Sequence, residues 1–168
     1  MSGRINPSVL TKALIATDVA FVAATPDSRT APLLRELIDL DGTNGAPSVL
    51  VTPDEASAVS MVAGATFLSG VRALAIMEAS GLRRAYEALA RLALGHGIFP
   101  PLLITVRGGV GERDWWAIGQ QVTLVRCLEA LGYAWEQIDT EEMADAVLAK
   151  ALATADIQEC GVAVLRNF

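Results

Sequence analysis

Short apolar runs alternate along this chain with longer segments of helical periodicity, and this alternation restricts the fold more than any other feature. Six runs have the length and composition of strands: VAFVAAT, SVLVT, ALAIMEA, PLLITV, AWEQID and GVAVLR. Apolar strands separated by helices are typical of a parallel sheet that is covered on both faces. The pattern therefore predicts one α/β domain over residues 1–168, a three-layer α/β/α structure around a six-stranded, mainly parallel sheet.

Helical patterns fill the segments between these runs. Residues 6–17 have a proline near the start of the predicted helix, where proline is favoured. The other predicted helices are APLLRELIDL, DEASAVSMVAGATFLS, LRRAYEALARLAL, IGQQVTLVRCLEAL and EEMADAVLAKALATA. Ligands of parallel α/β sheets bind beyond the carboxyl ends of the strands. Function is therefore expected in four loops, residues 26–30, 52–55, 78–82 and 107–114.

The composition disfavours several classes of function. No apolar run reaches the roughly 20 residues that span a bilayer, and the N-terminal MSGRINPSVLTK lacks the apolar core of a signal peptide. A cytoplasmic protein without a membrane segment is expected. The net charge of −6 and the absence of a basic cluster disfavour nucleic-acid binding. Because 52% of the residues are apolar, we expect a partner to cover part of the surface.

Metal and disulfide chemistry has little support in the sequence. The two cysteines, Cys127 and Cys160, lie far apart, and neither has a second type of metal ligand nearby. They fit neither a disulfide framework nor a zinc site. The single histidine, His96, falls at the expected amino end of the sheet. We therefore predict no metal ligand in this chain and no catalytic role for His96.

The segment VTPDEASAVSMVAGATFLSG contains the most distinctive candidate residue. Asp54 and Glu55 open a helix of mostly small apolar residues, and no further charge follows until Arg72. Acids are common in the first turn of a helix, where the helix dipole stabilises them by about 0.3–1 kcal/mol, and this explanation requires no function. Small residues behind Glu55 also let a ligand or another backbone approach closely. A partly desolvated carboxylate there can share a proton with a ligand nitrogen.

Three other loops allow both a structural and a functional interpretation. Ser80 in MEASGL either caps the next helix or belongs to a wall for a flat ligand. Thr30 in SRTAP either caps a helix or lies in a substrate-facing loop. The loop RGGVGERDWW either is a solvated surface loop or uses its arginines to bind an anion. Its glycine spacing does not match a nucleotide phosphate loop.

In their order along the chain, these segments resemble the pyrimidine-binding domain of thiamine-diphosphate enzymes. The likeness is strongest to sulfopyruvate decarboxylase alpha subunits and phosphonopyruvate decarboxylases. The segments that carry it are FVAATPDSRTAPLL, TPDEASAVSMVAGATFLSG, AIMEASGLRRAYEAL, PLLITVRGGVGE and GYAWEQID. The resemblance spans nearly the whole chain and implies the thiamine-diphosphate-binding fold.

The resemblance also implies roles for individual residues. Glu55 would be the catalytic residue, hydrogen-bonded to the N1′ atom of the aminopyrimidine ring, and the cofactor would act as the electron sink for loss of carbon dioxide. The residues implied to line the ring are Pro26, Ser80, Gly81 and Leu82. Those implied to bind the anionic tail of a small 2-oxo acid are Ser28, Arg29, Arg107 and Gly108.

The chain departs from the pattern of these families in ways that bear on its partners. Arg83 and Arg84 follow Ser-Gly-Leu where Gly-Asn is usual, and no Pro-Gln-His element follows Arg107. The Gly-Asp-Gly and later Asn that hold the diphosphate and Mg²⁺ are also missing. The resemblance therefore implies a hetero-oligomer in which a beta subunit supplies those ligands, with self-association of the complex.

The implied reaction is decarboxylation of 3-sulfopyruvate to sulfoacetaldehyde. Two alternatives remain at this point. One is a subunit of a phosphonopyruvate or other 2-oxo acid decarboxylase or carboligase. The other is a non-catalytic α/β assembly partner.

Overall fold

The protein is represented by a computed structural model that describes residues 5–43, 45–108, 112–157 and 161–166. Within these ranges six strands form one sheet. They are β1 (Phe21–Ala24), β2 (Ser48–Val51), β3 (Ala73–Glu78), β4 (Leu102–Thr105), β5 (Tyr133–Ile138) and β6 (Gly161–Arg166). Their order across the sheet is β2-β1-β3-β4-β6-β5, and all neighbouring strands pair in parallel. The prediction of an α/β fold built on a parallel sheet is confirmed.

Helices cover both faces of the sheet. They are α1 (Pro7–Ala16), α2 (Ala31–Leu40), α3 (Glu55–Ser69), α4 (Ala79–Ala90), α5 (Gln120–Ala130) and α6 (Ala144–Ala155). Helix α1 packs against α2 and α6 on one face, while α4 packs between α3 and α5 on the other. A π-helical turn, Arg91–Gly95, extends α4, and a 3₁₀ turn, Glu141–Met143, precedes α6. Within the described ranges, no helix has the length and apolarity needed to cross a membrane.

Alternation along the central strands divides the core between the two faces. Val22 of β1 and Leu74 and Ile76 of β3 point toward α1, α2 and α6. Ala23 and Met77, on the same two strands, point toward α3, α4 and α5. Because successive side chains of a strand lie on opposite faces, a strand with helices on both sides must be apolar throughout. This explains why the strands were recognisable as continuous apolar runs.

Two boundaries differ from the prediction near the loops of interest. The third strand ends at Glu78, and α4 begins at the next residue, Ala79. Ser80 and Gly81 therefore lie in the first turn of a helix, and the predicted Ser-Gly-Leu turn is wrong as a description of the backbone. The helix predicted to start at Leu82 begins earlier, at Ala79. A glycine is typical of a chain reversal, but it can also lie in the first turn of a helix where another group packs closely against the backbone.

Candidate active site

The candidate active site lies where the order of the strands reverses. From β1 the chain passes through α2 to β2 at the sheet edge, and then through α3 to β3 on the other side of β1. Such a reversal leaves a crevice beyond the carboxyl ends of the strands, the usual ligand position in open parallel sheets. The hydroxyls of Thr25 and Thr52 are hydrogen-bonded at 3.2 Å and connect the loops after β1 and β2.

Asp54 stabilises the start of α3 in the ordinary way. It is the N-cap residue in extended conformation, and its Oδ1 accepts a hydrogen bond from the Ser57 backbone N–H at 2.7 Å. This hydrogen bond is the main reason that the pKa of Asp54 is lowered from its ordinary value. The N-cap hydrogen bond of the helix is thus made by Asp54 and not by Glu55.

Glu55 follows as the first residue of α3 and is buried, with 9% of its surface exposed. Its Oε2 atom is inaccessible to solvent and has no hydrogen-bond partner among the described residues. The Arg84 Nε lies 3.7 Å from this oxygen, which makes an ion pair but is too long for a hydrogen bond. A buried oxygen without a partner costs about 1–3 kcal/mol, more for a charged group. The geometry leaves one acceptor without a hydrogen bond, and a ligand donor could reach it only if the groups that cover it moved.

Gly81 lies in direct contact with the Glu55 side chain. A Cβ atom at this position would be 2.5 Å from Cγ and 2.6 Å from Oε1 of Glu55, which is closer than real contacts allow. Only glycine therefore lets the first turn of α4 pack against the carboxylate at the start of α3. The structure brings together these two predicted site residues, although they are 26 positions apart in the sequence.

The neighbours of Gly81 differ in their surroundings. Ser80 is half-buried and donates a hydrogen bond from its hydroxyl to Glu78 Oε2 at 2.7 Å. It does not cap α4, because the N-cap position belongs to Glu78. Leu82 is fully buried and packs in the core of the α3, α4 and α5 face. The prediction that Leu82 lines a ligand ring stays a prediction, and its side chain is occupied in the core.

The loop after β1 is organised by Asp27, a residue that the sequence reasoning missed. Its Oδ1 accepts hydrogen bonds from the backbone N–H groups of Arg29 at 2.6 Å and Thr30 at 3.2 Å. Its Oδ2 accepts from the Thr30 hydroxyl at 2.7 Å, so this hydroxyl does not cap α2. Pro26 and Ser28 are exposed beside it. The sequence signal for this role is an aspartate in a predicted loop. Aspartate side chains in turns commonly accept a hydrogen bond from the backbone N–H group two residues later.

Arg107, after β4, is buried rather than open to the cleft, with 6% of its surface exposed. It forms ion pairs with Glu112, at 3.1 Å, and with Asp114. Its guanidinium also lies 4.4 Å from the centre of the Trp116 ring. Binding of a substrate anion by Arg107 stays a prediction, and it requires these contacts to open first.

Gly108 and Glu112 fix the loop that follows β4. Gly108 has φ 101°, and a Cβ atom there would be 2.6 Å from the Ala117 carbonyl oxygen. Its backbone N–H donates to Glu112 Oε2 at 3.2 Å. Hydrogen bonds from the Asp114 backbone N–H and from Arg107 lower the pKa of Glu112 to about 2. The predicted glycine loop includes residues 109–111, which lie outside the described ranges.

Four of the predicted site residues form two separate contact groups. Glu55 and Gly81 contact each other at the strand reversal, whereas Arg107 and Gly108 contact residues of their own loop. Among the described residues, no three or more His, Cys, Asp or Glu side chains are arranged to hold a metal ion. Of the described cysteines, Cys127 is free.

Comparison with known proteins adds evidence on the fold. No protein-family model matches the sequence, and no curated protein matches it. The structure is similar to that of 2-oxoglutarate:ferredoxin oxidoreductase from Magnetococcus marinus, solved with 2-oxoglutarate, coenzyme A and succinyl-CoA bound. The TM-score is 0.72 over 95% of this chain, at 14% sequence identity, and the chain spans 28% of the length of that protein. The two proteins share the α/β fold described above.

Proposed function

We propose that this chain is the pyrimidine-binding subunit of a thiamine-diphosphate-dependent enzyme that acts on 2-oxo acids. The observation on which this depends most is Glu55, a buried carboxylate at the strand reversal with one oxygen that has no hydrogen bond. The order of the sequence motifs supports the same assignment. So does the shared fold, because the similar protein is an enzyme named for 2-oxoglutarate, itself a 2-oxo acid.

The aminopyrimidine end of thiamine diphosphate fits the residues at this position. A protonated ring nitrogen would supply the hydrogen bond that Oε2 of Glu55 lacks in this structure. Gly81 has no side chain that would displace this carboxylate, since a Cβ atom there would meet Glu55 Cγ, Oε1 and Cδ. Ser80 and Pro26 would contribute to the walls, with Leu82 holding the backbone of the α4 start in place. When bound, the cofactor supplies an electron sink for the loss of carbon dioxide from a 2-oxo acid.

Glu55 would accept the hydrogen bond from the ring nitrogen when that nitrogen is protonated. It lies at the N-terminus of α3, with the Arg84 guanidinium nearby, and its carboxylate would accept the hydrogen bond. Burial keeps water from competing for that hydrogen bond, so the interaction is stronger than it would be at the surface. Glu55 thereby biases the ring toward the protonation state that the reaction requires.

A second subunit is part of this proposal. The chain lacks the Gly-Asp-Gly and Asn signature for the diphosphate and Mg²⁺, so a beta subunit would supply those ligands. The exposed side of α3 carries Met61, Phe67 and Leu68, the last 81% exposed, beyond the buried side that faces the sheet. A helix that is apolar on both sides is typical of one that is covered by a partner. We propose that the beta subunit covers this side of α3 in a complex that also self-associates.

The proposed substrate is 3-sulfopyruvate, which would yield sulfoacetaldehyde and carbon dioxide. The loop with Ser28 and Arg29 is proposed to lie beside the anionic tail, as are Arg107 and Gly108 once the Arg107 ion pairs open. Phosphonopyruvate and other 2-oxo acids are the alternatives, and so is a carboligase reaction.

The experiment is to purify the tagged chain together with its natural partner and measure carbon dioxide release from a panel of 2-oxo acids. Sulfopyruvate, phosphonopyruvate and pyruvate are tested with and without thiamine diphosphate and Mg²⁺. We expect cofactor-dependent release by the complex and none by the isolated chain. Turnover by the isolated chain would contradict the split site. A complex that is inactive on every acid would indicate a non-catalytic assembly partner.

A further inference from the structure

We propose that the anionic tail of the substrate replaces Asp114 on the Arg107 guanidinium, while Glu112 keeps its place there. Asp114 is thus an internal competitor that controls access to the anion site. This exchange rests on the proposed function and specifies which of the two Arg107 ion pairs opens. The group that takes the released donors is a sulfonate or another oxyanion of similar shape at the far end of a 2-oxo acid.

Arg107 has more negative partners than its single charge can balance. Its Nη2 atom donates hydrogen bonds to Glu112 Oε1, at 3.1 Å, and to Asp114 Oδ2. Two carboxylates therefore share one buried guanidinium and repel each other across it. If one of them leaves, Arg107 and the other still form a neutral ion pair. The loss of one carboxylate would therefore not leave the guanidinium buried without a counter-charge.

The two carboxylates are held very differently. The Glu112 oxygens also accept hydrogen bonds from three backbone N–H groups, those of Gly108 at 3.2 Å, Arg113 at 2.9 Å and Asp114 at 3.1 Å. The Glu112 side chain is 13% exposed, whereas that of Asp114 is 49% exposed. Among the described residues, the Asp114 carboxylate is hydrogen-bonded to Arg107 alone. Because water competes for a half-exposed ion pair, Asp114 is the carboxylate that an incoming anion can replace.

The Arg107 guanidinium also has an unused donor for the incoming anion. Its Nε atom is buried and has no hydrogen-bond partner among the described residues. The Nε–H and one Nη2–H lie on the same edge of a guanidinium, and this pair binds two oxygens of one oxyanion in parallel. The Trp116 ring covers one face of the group, at 4.4 Å, and leaves the edges for hydrogen bonds. An oxyanion on this edge would satisfy the buried Nε–H that Asp114 leaves unpaired, which favours the exchange.

The first test does not depend on decarboxylation. The isolated full-length chain is titrated with methanesulfonate, and NMR follows the Arg107 Nε–Hε signal and the carboxyl carbon of Asp114. Both signals should move along one binding curve, because the anion takes the donor that Asp114 releases.

Variants of the isolated chain test the competition directly. Asp114→Ala should bind methanesulfonate about 10-fold more tightly, since a site that is no longer closed by an internal competitor gains apparent affinity. Asp39→Ala is the control, because Asp39 is exposed on α2, and it should bind like the wild type. An Arg107 signal that moves while that of Asp114 does not would overturn the exchange. So would equal affinities of Asp114→Ala and the wild type.

The second test measures KM of the complex for sulfopyruvate and for pyruvate, which has no anionic tail. In Asp114→Ala the ratio of the first KM to the second should fall about 10-fold. In Arg107→Lys the ratio should rise, because an ammonium keeps the charge but lacks the paired donors of the guanidinium edge. An equal change of both KM values would show that Arg107 binds the carboxylate common to both acids, and would overturn the assignment to the tail. Methanesulfonate binding by a chain whose complex decarboxylates no acid would keep the anion site and refute the proposed reaction instead.

Discussion

Two adjacent carboxylates at the start of α3 have the same chemistry and different surroundings. Asp54 is hydrogen-bonded to the Ser57 backbone and caps the helix, whereas the Oε2 atom of Glu55 is buried without a hydrogen bond. The sequence already indicated different roles for the two residues, because the small residues that follow Glu55 allow a ligand or another backbone to approach it closely. It did not supply the contact with Gly81, which depends on how the first turns of two helices meet across the strand reversal.

Gly81→Ala should lower kcat of the complex by about 100-fold, because the new Cβ would occupy the space of the Glu55 Cγ and Cδ atoms. A displacement of about 1 Å at a catalytic group can cost a rate factor of this size. The isolated chain should still fold, since the Glu55 side chain can turn away and alanine favours a helix. The measurements are the rate of carbon dioxide release and the circular dichroism spectrum.

Gly64→Ala is the corresponding control for adding a methyl group to a helical glycine. Gly64 lies within α3, and a Cβ atom there has open space around it. The change should raise the free energy of unfolding of the isolated chain by about 1 kcal/mol, the usual helix preference for alanine over glycine. A Gly81→Ala enzyme with the wild-type kcat would show that the packing of Gly81 against Glu55 has no catalytic importance.

At the scale of elements, the loop after β4 shows where the sequence was insufficient. The sequence shows the arginine, glycines and tryptophans of this loop, and arginines in a glycine-rich loop led to the prediction that it binds an anion. The ion pairs of Arg107 with Glu112 and Asp114 were not visible, because a loop has no periodicity that reports which side chains fold back on it. The start of α4 was misplaced for a related reason, since the Ser-Gly pair reads as a turn and is helical here.

The pH dependence of stability should report on this loop. The pKa of Glu112 falls from 4.5 to about 2 in the folded chain, chiefly through the Asp114 backbone N–H and the Arg107 guanidinium. A lowered pKa means that the folded state favours the ionised form, so the stabilisation is complete above about pH 4.5. It should be lost as the pH falls toward 2.

Urea unfolding of the isolated chain between pH 5 and about 2.5 measures this effect. The free energy of unfolding should decrease less steeply with falling pH in Glu112→Gln than in the wild type. Glu129→Gln is the control, because Glu129 is exposed on α5. The same pH slope in Glu112→Gln and the wild type would contradict a role for Glu112 in holding the loop.

At the scale of the whole molecule, the alternation of strands and helices was sufficient to predict the α/β class and the parallel sheet. The order β2-β1-β3-β4-β6-β5 was not accessible from the same pattern, because each crossover can place its strand on either side of the preceding one. This order creates the strand reversal beside Glu55. Which apolar side chains of α3 are exposed could also not be predicted, because it depends on which side of the helix packs against the sheet.

The decisive measurement is the rate of carbon dioxide release by the complex with Glu55→Gln, compared with Asp54→Asn. Glutamine keeps the shape of the side chain and removes the carboxylate that would hold the ring proton, so the rate should fall at least about 100-fold. Asparagine is an equally good N-cap, so Asp54→Asn should stay within about twofold of the wild type. A Glu55→Gln complex with near wild-type activity would contradict the assignment of Glu55 as the proton partner of the pyrimidine ring.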